Sequence, residues 1–229
     1  MLKCRPQKII FVVSTFFLSL WLAYGITSKF FAKNQNPFQT TISSKLTALK
    51  DGDIIFQTSQ SSQCEAVKIA TKSKFSHCGI IFIIDNKPMV LEAVQPVKIT
   101  DFDKWISHGK NNEYTVKRLT DSGPIAAFST IVKMQEYGKS MLDKDYDLYF
   151  GWEDDKIYCS ELVWKIYKQG ADIELCPLQK LSSFDLNHPK VKKILSERYG
   201  NKIPINQTVV SPESIEKSNL LYTIIDTYQ

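Results

Sequence analysis

The spacing of apolar and polar positions changes several times along the chain, and each change marks an element. After the turn Asp51-Gly52-Asp53, the run Ile54-Ile55-Phe56-Gln57 reads as a first strand. Ser61 or Ser62 then caps a helix over 63–72, with Ala66, Val67, Ile69 and Ala70 on its buried side. From Phe75 to Ile84 the chain is apolar on both faces for most of its length, as a central strand must be. Asp85-Asn86 is a turn signal, and Met89 to Val94 returns as the partner strand. With a two-residue loop, Ile84 pairs with Lys87 and Gly79 falls opposite Glu92. His77 then lies on the face of Glu92, one diagonal step away, at roughly 7–8 Å.

Beyond that hairpin the pattern predicts a short strand over 97–100 and a helical turn from Asp101 through Trp105 to His108. A loop over 109–112 leads to an alternating strand from Tyr114 to Leu119. Gly123-Pro124 opens one helix running through Phe128, Ile131, Met134 and Tyr137 to about Leu142. Residues 143–155 read as a polar, aromatic-rich loop, with Tyr146, Asp147, Tyr149, Phe150 and Trp152 in it. A helix follows from Cys159, with Leu162, Val163, Ile166 and Gly170 continuing one face. A helix from Pro189 to Tyr199, a cap at Ser211-Pro212 and a final strand over 220–225 complete the chain.

The N-terminal pattern is different. Residues 9–26 are nearly all apolar and flanked by Lys3, Arg5, Lys8, Lys29 and Lys33. As a helix, such a segment reaches roughly 27 Å, about the depth of a bilayer core. Ala23 and Gly25 supply the small residues of a cleavage site, so residues 1–28 read as either a signal peptide or a transmembrane anchor. The expected location is membrane-anchored or exported, periplasmic in a bacterium. Residues 29–45 form a linker, and residues 46–229 form a single domain.

Charge adds little to this picture. The 229-residue chain carries a net +5, but 24 basic and 24 acidic residues remain after residue 40, which argues against a nucleic-acid partner. Five cysteines, at 4, 64, 78, 159 and 176, show no Cys-x-x-Cys and no regular spacing, so neither a disulfide scaffold nor a zinc ribbon is indicated. No metal site and no cofactor is expected.

What the cysteines do allow is a reactive thiol. Cys159 begins a helix, where the positive end of the dipole favours thiolate. A thiol nucleophile needs a base and a group to orient that base. Of the three histidines only His77 lies in a central strand, and Glu92 is an isolated acid in the apolar run of the partner strand. Cys78, next to His77, points to the opposite face and reads as core. Cys64 with His108 is the rival pairing, and a zinc site from His77, Cys78, Glu92 and Cys159 is the rival chemistry.

The ordered motifs Gly52-Asp53-Ile54-Ile55-Phe56, Ser76-His77-Cys78-Gly79-Ile80, Leu91-Glu92-Ala93-Val94, Tyr146-Asp147 and Tyr158-Cys159-Ser160-Glu161-Leu162-Val163 resemble the permuted NlpC/P60 papain-like proteins. Within these they resemble the YiiX/YaeF-like group, related to lecithin:retinol acyltransferase-like proteins. The resemblance implies an α+β fold, an antiparallel sheet or barrel packed against helices, following an N-terminal hydrophobic helix. It implies Cys159 as nucleophile, His77 as base and Glu92 as orienting residue, with Tyr158, Tyr146 and Asp147 lining the oxyanion and substrate site. The expected activity is thiol-dependent hydrolysis or acyl transfer at an amide or ester of a peptide or lipid. A catalytically silent protein binding such a ligand in the same cleft is the alternative.

Overall fold

Six antiparallel strands in the order β10-β5-β1-β2-β3-β4 form the main sheet. The strands are β1 (Ile54–Ser59), β2 (His77–Ile84), β3 (Lys87–Glu92), β4 (Lys98–Asp101), β5 (Gly109–Leu119) and β10 (Leu221–Asp226). The structure is a computed structural model that describes residues 49–60 and 62–228. The apolar segment 9–26 and the linker 29–45 lie outside the described residues, and no described helix is long and apolar enough to cross a membrane.

The β2–β3 hairpin follows the register expected from its turn. Asp85 and Asn86 both have positive φ (50° and 61°), the conformation of a type I′ turn. Ile84 pairs with Lys87 and Ile80 with Leu91, which carries Gly79 to the level of Glu92. Glycine is required there, because a Cβ on Gly79 would lie 2.5 Å from Val90 Cγ1. At the head of β1, Gly52 (φ +84°) accepts a hydrogen bond from the Tyr167 hydroxyl. Buried Asp53 beside it is held by Arg118, Nε to Oδ1 at 2.7 Å and Nη2 to Oδ2 at 2.8 Å.

The helix bearing the cysteine, α5 (Cys159–Ala171), is buried along almost its whole length. It packs on the sheet through Leu162, Val163 and Ile166 and shares one apolar core with Ile54, Phe56, Cys78 and Ile80. Asp172, left-handed at φ 55°, ends it. Beside α5 runs α4 (Phe128–Ser140), whose Met134 and Gly138 are buried. The remaining helices are α1 (Ser62–Thr71), α2 (Phe102–Ser107), α3 (Gly123–Ala126), α6 (Pro189–Tyr199) and α7 (Pro212–Glu216). Ala66 of α1 with Val191 and Leu195 of α6 form a second, smaller core.

Three local expectations are corrected. The single helix expected from Gly123 to Leu142 is two helices, broken at Ala127, which is extended (φ −70°, ψ 125°). Ile125 and Met134 are nine residues apart, so one straight helix would turn them to opposite sides at about 100° per residue; both are buried, and the break lets them be. The loop expected over 109–112 belongs to β5, where Gly109 pairs with Ser59. Left-handed Asn111 and Asn112 take up a register shift before Tyr114 pairs with Gln57. The expected loop over 143–155 is pinned by two-residue strands, β6 (Asp145–Tyr146) parallel to β7 (Lys156–Ile157). A second small pair joins β8 (Gln179–Lys180) to β9 (Thr208–Val209).

Candidate active site

Cys159 is the first residue of α5 and is only 4% exposed. A helix leaves its first N–H groups without intrahelical partners, so the sulfur sits among unspent donors at the positive end of the dipole. The start of the helix is fixed from three directions. Glu161 Oε2 receives the Tyr158 backbone N–H at 3.4 Å, Ser160 Oγ donates to Val210 O at 2.8 Å, and the Tyr158 hydroxyl accepts from Val210 N at 3.1 Å. Glu161 itself is buried against Lys165 at 2.8 Å, and that burial pushes its carboxyl up to about 7.

His77 opens β2 and is almost wholly buried. Its Nε2 lies 2.7 Å from Glu92 Oε2, and the other carboxylate oxygen of Glu92 accepts from Thr100 Oγ1 at 2.6 Å. The imidazole stacks on Trp105 of α2, with centroids 5.7 Å apart and planes at 23°. With Nε2 held by Glu92, Nδ1 is the ring nitrogen left over, and Cys159 lies close enough to the ring to raise its pKa.

The electrostatics of the pair follow from these contacts. Hydrogen bonding from the Cys78 thiol lowers the Cys159 pKa most; burial opposes it, and the His77 bond and charge add to the lowering. The thiol therefore ends well below its ordinary range. Burial disfavours charge on His77, but the bonds to Cys159 and Glu92 outweigh it and push the imidazole up to about 10. Burial likewise works against the Glu92 carboxylate, and the His77 bond overcomes it to hold the group low. Thiolate and imidazolium thus sustain each other.

Cys78 was expected to serve only as core. It is fully buried, and burial first, with neighbouring Cys159 second, holds its thiol far above the ordinary thiol range. Replacing Cys78 with alanine is expected to raise the midpoint of the pH curve for Cys159 alkylation by iodoacetamide. An unchanged midpoint would show that the neighbouring thiol does not hold the sulfur.

A groove opens beside Cys159, and Tyr146 and Tyr158 line it. Tyr146 arrives through the β6–β7 bridge, which sets it level with Ile157. Burial first, and then the charge of Cys159, keep its hydroxyl protonated next to the sulfur. Asp147 is a correction: its carboxylate accepts from the backbone of Tyr149 (2.8 Å) and Gly151, shapes that loop, and is absent from the groove lining. Gln63, Thr100, Trp105 and Arg198 belong to the site or its support and had no signal in the sequence beyond being polar or aromatic on short helices and strands.

The rival histidines lie elsewhere. His108 is exposed at the C-cap of α2, and His188 is exposed at the N-cap of α6, its Nδ1 accepting from Lys190 N. Cys64 is half-buried in the first turn of α1. Among the described residues no group of three His, Cys, Asp or Glu side chains is arranged to hold a metal ion.

Comparison with known proteins agrees with this geometry. The chain is 43% identical over 173 residues to the uncharacterised protein YiiX of Escherichia coli K12, covering 76% of this chain and 84% of that protein. The crystal structure of YiiX from Escherichia coli O157:H7, described as a metalloprotein, matches with a TM-score of 0.75 at 41% identity, over 79% of this chain and 98% of that one. Residues 48–225 match the family model described as permuted papain-like amidase enzyme, YaeF/YiiX, C92 family. With the thiol on a helix start and the histidine on the strand preceding it in the chain, this protein belongs to that family of permuted papain-like amidases.

Proposed function

We propose that the protein hydrolyses an amide or ester through an acyl-enzyme on Cys159, with His77 as general base and acid and Glu92 holding the ring. One observation carries this reading: Glu92 holds His77 Nε2 at 2.7 Å, leaving the other ring nitrogen over, while the Cys159 thiol that starts a buried helix lies close enough to shift the ring's pKa. The thiolate attacks the carbonyl carbon, forming a C–S bond as the carbonyl π pair moves onto oxygen. The Cys159 backbone N–H and the Tyr146 hydroxyl are the donors placed to receive that oxyanion. Imidazolium at His77 gives its proton to the departing nitrogen or oxygen. A water, deprotonated by the same ring, then attacks the thioester carbon and releases the carboxylic acid and the thiolate. An acceptor alcohol or amine in place of water would make the second step a transfer.

The test is a stopped incubation of the purified protein with an activated acyl ester, followed by peptide mass analysis. The expected result is one acyl group on the Cys159 peptide, absent from Cys159→Ser. Acylation spread evenly over Cys64, Cys78, Cys159 and Cys176, or none at all, would favour a silent binding protein instead.

A further inference from the structure

Among the 22 residues lining the groove, Arg198 is the one basic side chain, and no Asp or Glu is among them. The rest of the wall is chiefly apolar, with Val67, Phe184, Ile194, Leu195 and Val209 among them. Several of its hydroxyls are already committed: Ser160 Oγ donates to Val210 O, Ser76 Oγ accepts from Ser59 N, and Ser211 Oγ bonds to Ser214. A peptide backbone brings a donor and an acceptor at every residue, and this wall leaves few partners for them. A hydrocarbon chain needs none.

Arg198 is half-buried. Its Nη2 donates to Gln63 Oε1 at 2.9 Å, and its guanidinium stands 5.4 Å from the centre of the Phe150 ring. Among the described residues no carboxylate pairs with it, whereas Lys190 and Lys193 of the same helix pair with Glu65 and Glu197. A guanidinium has five N–H donors in a planar fork suited to carboxylate or phosphate, and most remain for a ligand. It is also close to the chemistry. Gln63 Nε2 lies 3.4 Å from the Tyr146 hydroxyl, and Tyr146 borders the Cys159 sulfur, so two side chains separate guanidinium from nucleophile along one wall.

We propose that the substrate is an acyl chain lying in this groove and joined, through the bond cleaved at Cys159, to a group whose anion Arg198 reads. This rests on the hydrolase reading above and adds the substrate class and a specificity residue. For an N-acyl amino acid the C–N bond breaks, water's hydroxyl joins the acyl carbon, and its proton goes to the amine. A carboxylate on an amino acid and a phosphate on a glycerol headgroup offer the same chemistry to Arg198.

The test compares kcat/KM for N-octanoylglycine, octanoyl glycerol phosphate and neutral N-octanoylglycinamide, alongside p-nitrophenyl esters from acetyl to octanoyl. Ester turnover is expected to rise about threefold per added methylene. An anionic substrate is expected to exceed the glycinamide by about tenfold or more, and Arg198→Gln to bring that ratio near one. Whichever anion shows the larger Arg198-dependent ratio names the source. A flat chain-length series, or a ratio untouched in a folded Arg198→Gln, overturns the proposal. Should no substrate turn over, the acetyl ester included, the hydrolase reading fails and direct binding decides this one. Binding of a dansyl-labelled fatty acid to Cys159→Ala, weakened about tenfold by adding Arg198→Gln, supports it; no binding overturns it.

Discussion

Replacing His77 with alanine is expected to lower kcat/KM on any ester the protein cleaves by about a hundredfold to ten-thousandfold, the usual worth of a positioned acid–base group. It is also expected to move the pH at which Cys159 becomes reactive upward. The productive form is thiolate with imidazolium. It fills as pH rises past the lowered pKa of Cys159 and empties as His77 loses its proton near 10. Wild-type activity should therefore have its acid limb well below the ordinary thiol range and its alkaline limb near 10. Without the ring, the thiolate loses one of the two partners that lower it, while burial continues to raise it. Iodoacetamide labelling of Cys159 against pH, read by peptide mass, separates this from unfolding, because a disordered chain would label Cys78 and Cys176 as readily. A variant that keeps the wild-type labelling curve would mean that imidazole and sulfur do not act as a pair.

The pairing of His77 with Glu92 was readable because a two-residue Asp-Asn turn and a period of two leave one register, and β2–β3 keeps it. Cys159 at the start of α5 was readable from the apolar positions after it, which are all buried. The break at Ala127 was also within reach, since Ile125 and Met134 cannot share a face of one helix. The substrate side was not. Tyr146 is placed by two residues pairing with Lys156 and Ile157, too short a bridge to leave a pattern. Gln63 and Arg198 meet from helices 135 residues apart, each looking like an ordinary surface position. Strand alternation places Cys78 in the core, but it does not show that β2 brings Cys78 close enough to Cys159 to lower its pKa. Local periodicity places side chains on faces; it does not say which element ends meet.

Gly170→Ala, at the far end of the cysteine helix, is expected to destabilise the fold by about 2 kcal/mol. A Cβ there would stand 2.5 Å from Met134 Cγ, 2.6 Å from its Cα and 2.7 Å from its N, so α4 itself must retreat rather than a side chain rotate. Overpacking of this kind costs up to about 3 kcal/mol, and alanine returns about 1 kcal/mol of helix propensity over glycine. The neighbouring Gln169 is exposed, so Gln169→Ala places an alanine in the same turn without the clash and should leave stability within about 0.5 kcal/mol of wild type. At about 2–4 °C per kcal/mol for a domain this size, the Gly170 variant should melt about 4–8 °C lower. The same close contact has a functional consequence, because α5 carries Cys159 at its other end. A helix pushed from α4 tilts its first residue away from His77, so esterase activity should fall further than the unfolded fraction explains. A melting temperature equal to that of Gln169→Ala would mean that α4 yields freely and that the glycine does not set the seat of the cysteine helix.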